Sequence, residues 1–173
     1  MALSPEEIDY YMSLALEEAR DAMRIGEVPI GAVIVQNGHI IGRGHNLREH
    51  SQNSLLHAEV LAIEEACANV GSWRLEDADI FVTLEPCPMC AGAMINSRIR
   101  TCYFGALDPK AGVAGSIENL LTNTSFNHQV SVEAGVREGE AAALLKTFFK
   151  AIRQKRKAAK NQNATSQTET KKV

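Results

Sequence analysis

Apolar or small residues at Ile8, Tyr11, Met12, Ala15, Ala19, Ala22 and Met23 recur three or four positions apart, the spacing of one helix face. Ser4, Pro5 and Glu7 precede them as N-cap, first-turn proline and capping-box carboxylate, and Gly26 supplies a stop. A helix is therefore predicted there, with an apolar face that covers a sheet. Strand-like runs at residues 30–36 and 39–43 flank Asn37-Gly38, a hairpin signal because both turn positions tolerate positive φ. Helical spacing returns at Val60, Ile63, Ala66, Cys67 and Val70, with His57 at the start and Gly71 at the end. Residues 79–84 and 100–105 read as short buried strands, separated by a helical pattern that Pro86 opens and that runs to about Ser97. A loop with Pro109, Gly112 and Gly115 precedes a short helix expected near residues 117–121 and a last strand at residues 130–134. The final helix, from about Glu138, carries Leu144, Leu145, Phe148, Phe149 and Ile152 on its apolar side.

A hairpin followed by strand–helix–strand units predicts an α/β fold, because parallel strands need crossover connections. The expected architecture is three-layer α/β/α around a central five-stranded mixed sheet. At 173 residues, 45% of them hydrophobic, the chain suits one domain with a real core and is too apolar for a disordered or collagen-like class. We place that domain at residues 1–160, including the last helix, and expect residues 161–173 to form a disordered polar tail. No apolar run approaches the roughly 20 residues of a membrane-spanning helix. The first residues are acidic where a secretory leader is basic, so a cytoplasmic location and no membrane partner are expected. Four cysteines, unevenly spaced, suit metal or catalytic use in a reducing compartment better than a disulfide scaffold.

The net charge of −3 hides an asymmetry: residues 146–173 hold nine basic residues and a single acid, Glu169. Such a basic end either meets a polyanion or forms a solvated terminal helix.

The chemistry concentrates in His57-Ala58-Glu59 and, 30 positions after His57, in Pro86-Cys87-Pro88-Met89-Cys90. Cysteines at i and i+3 share a helix face, and the positive end of that helix favours thiolates, the metal-binding form. With His57 they make a three-ligand zinc set, and three protein ligands rather than four leave a position for water, as in catalytic sites. Zinc brings the pKa of such a water toward about 7. Glu59 lies within the same helical turn as His57 without being a ligand, so it can carry the water's proton to a substrate. Hydrolytic deamination needs that sequence of events. A Cys-x-x-Cys alone also fits a redox pair, and a structural zinc would need a fourth ligand from His39, His45, His50 or His128, none of which stands at zinc-finger spacing. Cys67 and Cys102 read as small core residues, and Glu85 as a carboxylate capping the following helix.

The same motifs, together with Glu27-Val28-Pro29-Ile30-Gly31-Ala32, Gly44-His45-Asn46, Gly71-Ser72-Trp73-Arg74-Leu75, and Phe104-Gly105-Ala106 with Asp108, Lys110 and Gly112, resemble the zinc-dependent cytidine and deoxycytidylate deaminase superfamily. Within it the chain is most similar to the bacterial tRNA adenosine deaminases, over nearly its whole length. The resemblance implies a cytidine deaminase-like fold and conversion of adenosine to inosine at the wobble position of a tRNA anticodon loop. It implies one Zn2+ per subunit on His57, Cys87 and Cys90, with Glu59 as the proton carrier. Asn46 would hydrogen-bond the extruded base and Asp108 the target sugar. On the residues alone, Asn46 reads as a strand-end turn residue and Asp108, before Pro109, as a turn starter. Lys110, Lys150, Arg153, Lys155 and Arg156 would contact the anticodon stem-loop, and a homodimer is expected. The rivals are a free-purine deaminase such as a guanine deaminase, which would not require the basic helix, and a noncatalytic zinc-stabilised RNA-binding module, for which Glu59 would be superfluous.

Overall fold

The computed structural model describes residues 3–169, with side chains through residue 162. Nine elements follow one another: α1 (Pro5–Arg24), β1 (Gly31–Gln36), β2 (His39–His45), α2 (Ala58–Val70), β3 (Ala78–Leu84), α3 (Pro88–Ser97), β4 (Thr101–Ala106), β5 (Ser131–Ala134) and α4 (Glu138–Glu169). The capping box forms as expected, with Ser4 accepting from the Glu7 N–H and Glu7 from the Ser4 N–H. Asn37 and Gly38 take φ of 50° and 78°, the left-handed pair of a two-residue hairpin that joins Gln36 to His39.

The sheet order is β2-β1-β3-β4-β5. The β1/β2 and β1/β3 pairs are antiparallel and the β3/β4 and β4/β5 pairs parallel. Alternation along the strands sorts two cores. Ala32, Ile34, Ile80, Val82, Cys102 and Phe104 pack with α2 and α3 on one face, while Val33, Val35, Phe81 and Tyr103 pack with α1 and the start of α4 on the other. This is the three-layer α/β/α arrangement, with a mixed five-stranded sheet in the middle. Helix α2 lies very close to β2: a Cβ on Gly44 would stand 2.3 Å from the Ala58 carbonyl oxygen. Glycine on the strand and alanine on the helix thus bring the start of α2 down onto the end of β2.

Four local expectations change. The helix expected from Pro86 begins at Pro88, with Cys87 as its extended N-cap at φ −77°, ψ 171°, because a residue before proline is steered out of the helical region. Residues 117–121 form no helix. Their segment folds back in an isolated bridge between Ala114 and Asn119, with the Leu120 N–H on the Val113 carbonyl and the Gly115 N–H on the Glu118 carbonyl, an extended pairing that replaces the helix. Glu85 itself does not cap α3. Finally, α4 stays helical through Glu169, past the boundary expected at Lys160, in a stretch free of glycine and proline. Residues 170–173 lie outside the described residues. Among the described residues no helix is long and apolar enough to cross a membrane.

Candidate active site

The parallel strand β3 ends at Leu84, and the N-termini of α2 and α3 meet beside that end. His57 is the N-cap of α2, with φ −80° and ψ 152°. Cys87 is the N-cap of α3 and Cys90 lies in its first turn. Neither N-cap side chain caps its own helix, so both are available to each other. His57 Nδ1 stands 3.6 Å from Cys87 Sγ and 3.5 Å from Cys90 Sγ, and the three donor atoms lie within 4.8 Å of one another. Zinc bonds of about 2.05 Å to nitrogen and about 2.3 Å to sulfur, at a tetrahedral angle, give an N···S edge of about 3.6 Å. The donor set therefore fits a tetrahedral metal ion in size as well as in chemistry. Among the described residues no fourth His, Cys, Asp or Glu joins this group.

Two helix N-termini aimed at one point favour negative charge there. The hydrogen bond from Cys90, followed by that from His57, holds the Cys87 thiol down to about 4. The same bond with Cys87, together with burial, pushes Cys90 up, and contact with Cys87 raises His57. Glu59, on the first turn of α2, is 4% exposed. Burial is the main cause that pushes its carboxyl up to about 7.

His57, Glu59 and Cys87 line a cavity of about 260 Å3 together with Asn46, Arg48, Glu85, Asp108 and Phe149. That volume lies below the roughly 300 Å3 at which sites for drug-sized ligands begin, so it suits one planar base. Asn46, just past β2, is 4% exposed and donates through Nδ2 to Glu27 Oε2 at 3.2 Å. Asp108 lines the cavity and starts a turn at once: its Oδ1 accepts from the N–H groups of Lys110 and Ala111. Lys110, Lys150, Arg153, Lys155 and Arg156 are exposed and do not line the cavity.

Three neighbours were not placed at the site from sequence. Glu27, 1% exposed, accepts from Asn46 and from the His50 N–H; a carboxylate just before an apolar strand was its only signal. Phe149 read as a core residue of α4, yet it is 43% exposed and forms a cavity wall. Glu85, 2% exposed, accepts from the N–H groups of Asp108, Ala114 and Ser116 and from the Ser116 hydroxyl. Burial works to raise its pKa, but these four donors together hold it below the usual carboxylate range.

Known proteins resemble the chain in sequence and in fold. The family model described as MafB19-like deaminase matches residues 6–153. The chain is 55% identical over 152 residues to the tRNA-specific adenosine deaminase of Bacillus subtilis, covering 88% of this chain and 94% of that one. A structure solved in a study of A-to-I editing by tRNA:A34 deaminases at the wobble position of transfer RNA is 43% identical, with a TM-score of 0.75, over 79% of this chain and 99% of the other. A guanine deaminase of Bacillus subtilis is 35% identical with a TM-score of 0.56, over 61% and 66% of the two chains. The cavity, its three clustered donors and these likenesses agree, and the chain belongs to the MafB19-like deaminases and, among them, to the tRNA-specific adenosine deaminase family.

Proposed function

We propose that the protein converts adenosine to inosine at the wobble position of a tRNA anticodon loop. Water's oxygen bonds to C6, the bond from C6 to its amino nitrogen breaks, and ammonia leaves. The observation that carries this reading is a buried non-ligand carboxylate, Glu59, in one cavity with His57 and Cys87. His57, Cys87 and Cys90 would hold a zinc ion, which would supply a Lewis acid beside which water ionises near neutral pH. Glu59 accepts one proton from the attacking water and delivers it to N1, then carries the second, from the new hydroxyl on C6, to the departing amino nitrogen, so one residue serves as both general base and general acid. Asn46, fixed through Nδ2 by Glu27, holds the base edge, and Asp108 holds the sugar.

An extruded base costs less in an anticodon loop than in a duplex, which suits a cavity closed on several sides. Phe149 supports an RNA substrate further. Lys146, Arg153, Arg156 and Lys160 stand three, four, seven and eleven positions from it, which on a helix is the same side. A basic stripe thus leads from the cavity wall along α4, and phosphate contacts there, with Lys110 beside Asp108, would set the register of the stem-loop. A tRNA substrate supports a cytoplasmic location. The family resemblance supports a homodimer, which light scattering tests as a mass near twice 18.8 kDa.

The deciding experiment offers the protein an anticodon stem-loop, free adenosine and free guanine in parallel and measures ammonia and inosine. Release from the stem-loop is expected. Release from guanine alone would favour the guanine deaminase reading that the second structural likeness raises.

A further inference from the structure

Glu85 follows β3 directly and stands two residues before Cys87, with its side chain 2% exposed. A buried carboxylate is costly unless donors replace its water. Asp79, also buried, has the Arg100 guanidinium against both oxygens, but Glu85 has no ion-pair partner among the described residues. Its four donors come from one loop. Oε1 accepts from the N–H groups of Ala114 and Ser116 at 3.0 and 2.9 Å, and Oε2 from the Asp108 N–H and the Ser116 hydroxyl at 2.9 and 2.5 Å.

The loop is shaped to this carboxylate. A Cβ on Gly112 would lie 2.3 Å from both Cδ and Oε2 of Glu85 and 2.6 Å from the Asp108 carbonyl oxygen, so only glycine permits the approach. Val113 adds an N–H bond of 3.0 Å to the Pro86 carbonyl. The segment from Asp108 to Ser116 is therefore clamped to the junction that leads into Cys87. Its first residue reaches the cavity. Asp108 Oδ1 is taken by two N–H groups of its own turn, which leaves Oδ2 as the acceptor for a substrate hydroxyl.

We propose that Glu85 is a positioning residue: its carboxylate fixes the loop of residues 108–116 to the strand–helix junction and so sets where Asp108 stands in the cavity. The proposal rests on the reading that Asp108 contacts the target sugar. It makes the substrate-binding wall and the Cys87 turn one rigid piece, through a carboxylate whose oxygens are taken up by the loop.

Glu85→Gln tests it. The amide oxygen can keep the bonds from Ala114 and Ser116, while the amide nitrogen facing Asp108 puts donor against donor, so the loss falls on Asp108. KM for an anticodon stem-loop is expected to rise about tenfold with kcat changed less than about threefold, and zinc content should match that of the unsubstituted protein. In an Asp108→Ala background the same change should add less than about twofold. Amide exchange followed by NMR should quicken at Asp108 more than at Ala114. Ser116→Ala, at an exposed position, is a second variant that removes one donor and spares the fold; a two- to threefold rise in KM is expected. Equal losses with and without Asp108, lost zinc, or unchanged Asp108 exchange would overturn the proposal and leave Glu85 a packing residue. Should the unsubstituted protein leave the stem-loop intact, the functional reading fails, and amide exchange still decides whether the clamp exists.

Discussion

The two walls of the cavity are built differently. One wall is the meeting of the α2 and α3 N-termini, where His57 and Cys87 are the N-caps and Glu59 and Cys90 lie in the first turns, with α2 seated through its alanines on the glycines of β2. The opposite wall is Asn46 and Arg48 past β2, Asp108 and Ala111 in the loop after β4, and Phe149 from the last helix, three stretches far apart in sequence. The groups proposed to hold a metal and move a proton stand at helix starts, whereas those proposed to meet the substrate stand mainly on loops.

Substitutions on the two walls should therefore fail in different ways. The largest effect is expected on the helical wall: His57→Ala should lose its zinc, read by metal analysis, and inosine formation with it. Full metal occupancy in that variant would mean a different ligand set. Glu59→Ala should lower kcat by about 10³-fold, yet keep zinc and bind the stem-loop within about twofold of the unsubstituted protein. Normal turnover would refute its role as proton carrier. On the opposite wall, Phe149→Ala should raise KM about tenfold through lost stacking and leave kcat nearly unchanged; a fall in kcat alone would place Phe149 in the chemistry rather than in recognition. The smallest effect is expected farthest from the cavity. Replacing Arg153, Arg156 and Lys160 by Gln should reduce the steepness of the salt dependence of stem-loop binding by about 2, at about 0.7 per phosphate contact, with kcat unaffected. An unchanged slope would make α4 beyond the cavity a solvated helix.

Legibility follows the same division. The donors His57, Cys87 and Cys90 could be paired from sequence because a metal imposes spacing, and Asn37-Gly38 marked its hairpin because few residues accept positive φ. Glu85 was misread because a carboxylate before a helix has a local explanation, and the loop that claims it lies 23 to 31 residues downstream. The helix expected at residues 117–121 failed because helical spacing does not show that residues 118–120 pair back with residues 113–115. Phe149 looked like core because helical spacing says which side is apolar and not what that side faces.

Hydrophobic period, turn residues and donor spacing determined the order of the elements, the layers and the reactive groups, since each is set by interactions within a few positions. Tertiary structure alone decided that Asn46, Asp108 and Phe149 share a cavity with Glu59, and that Glu85 holds a loop rather than a helix end. Those arrangements depend on which strand ends lie side by side in the sheet. No local preference encodes that, because it emerges when the whole core packs at once.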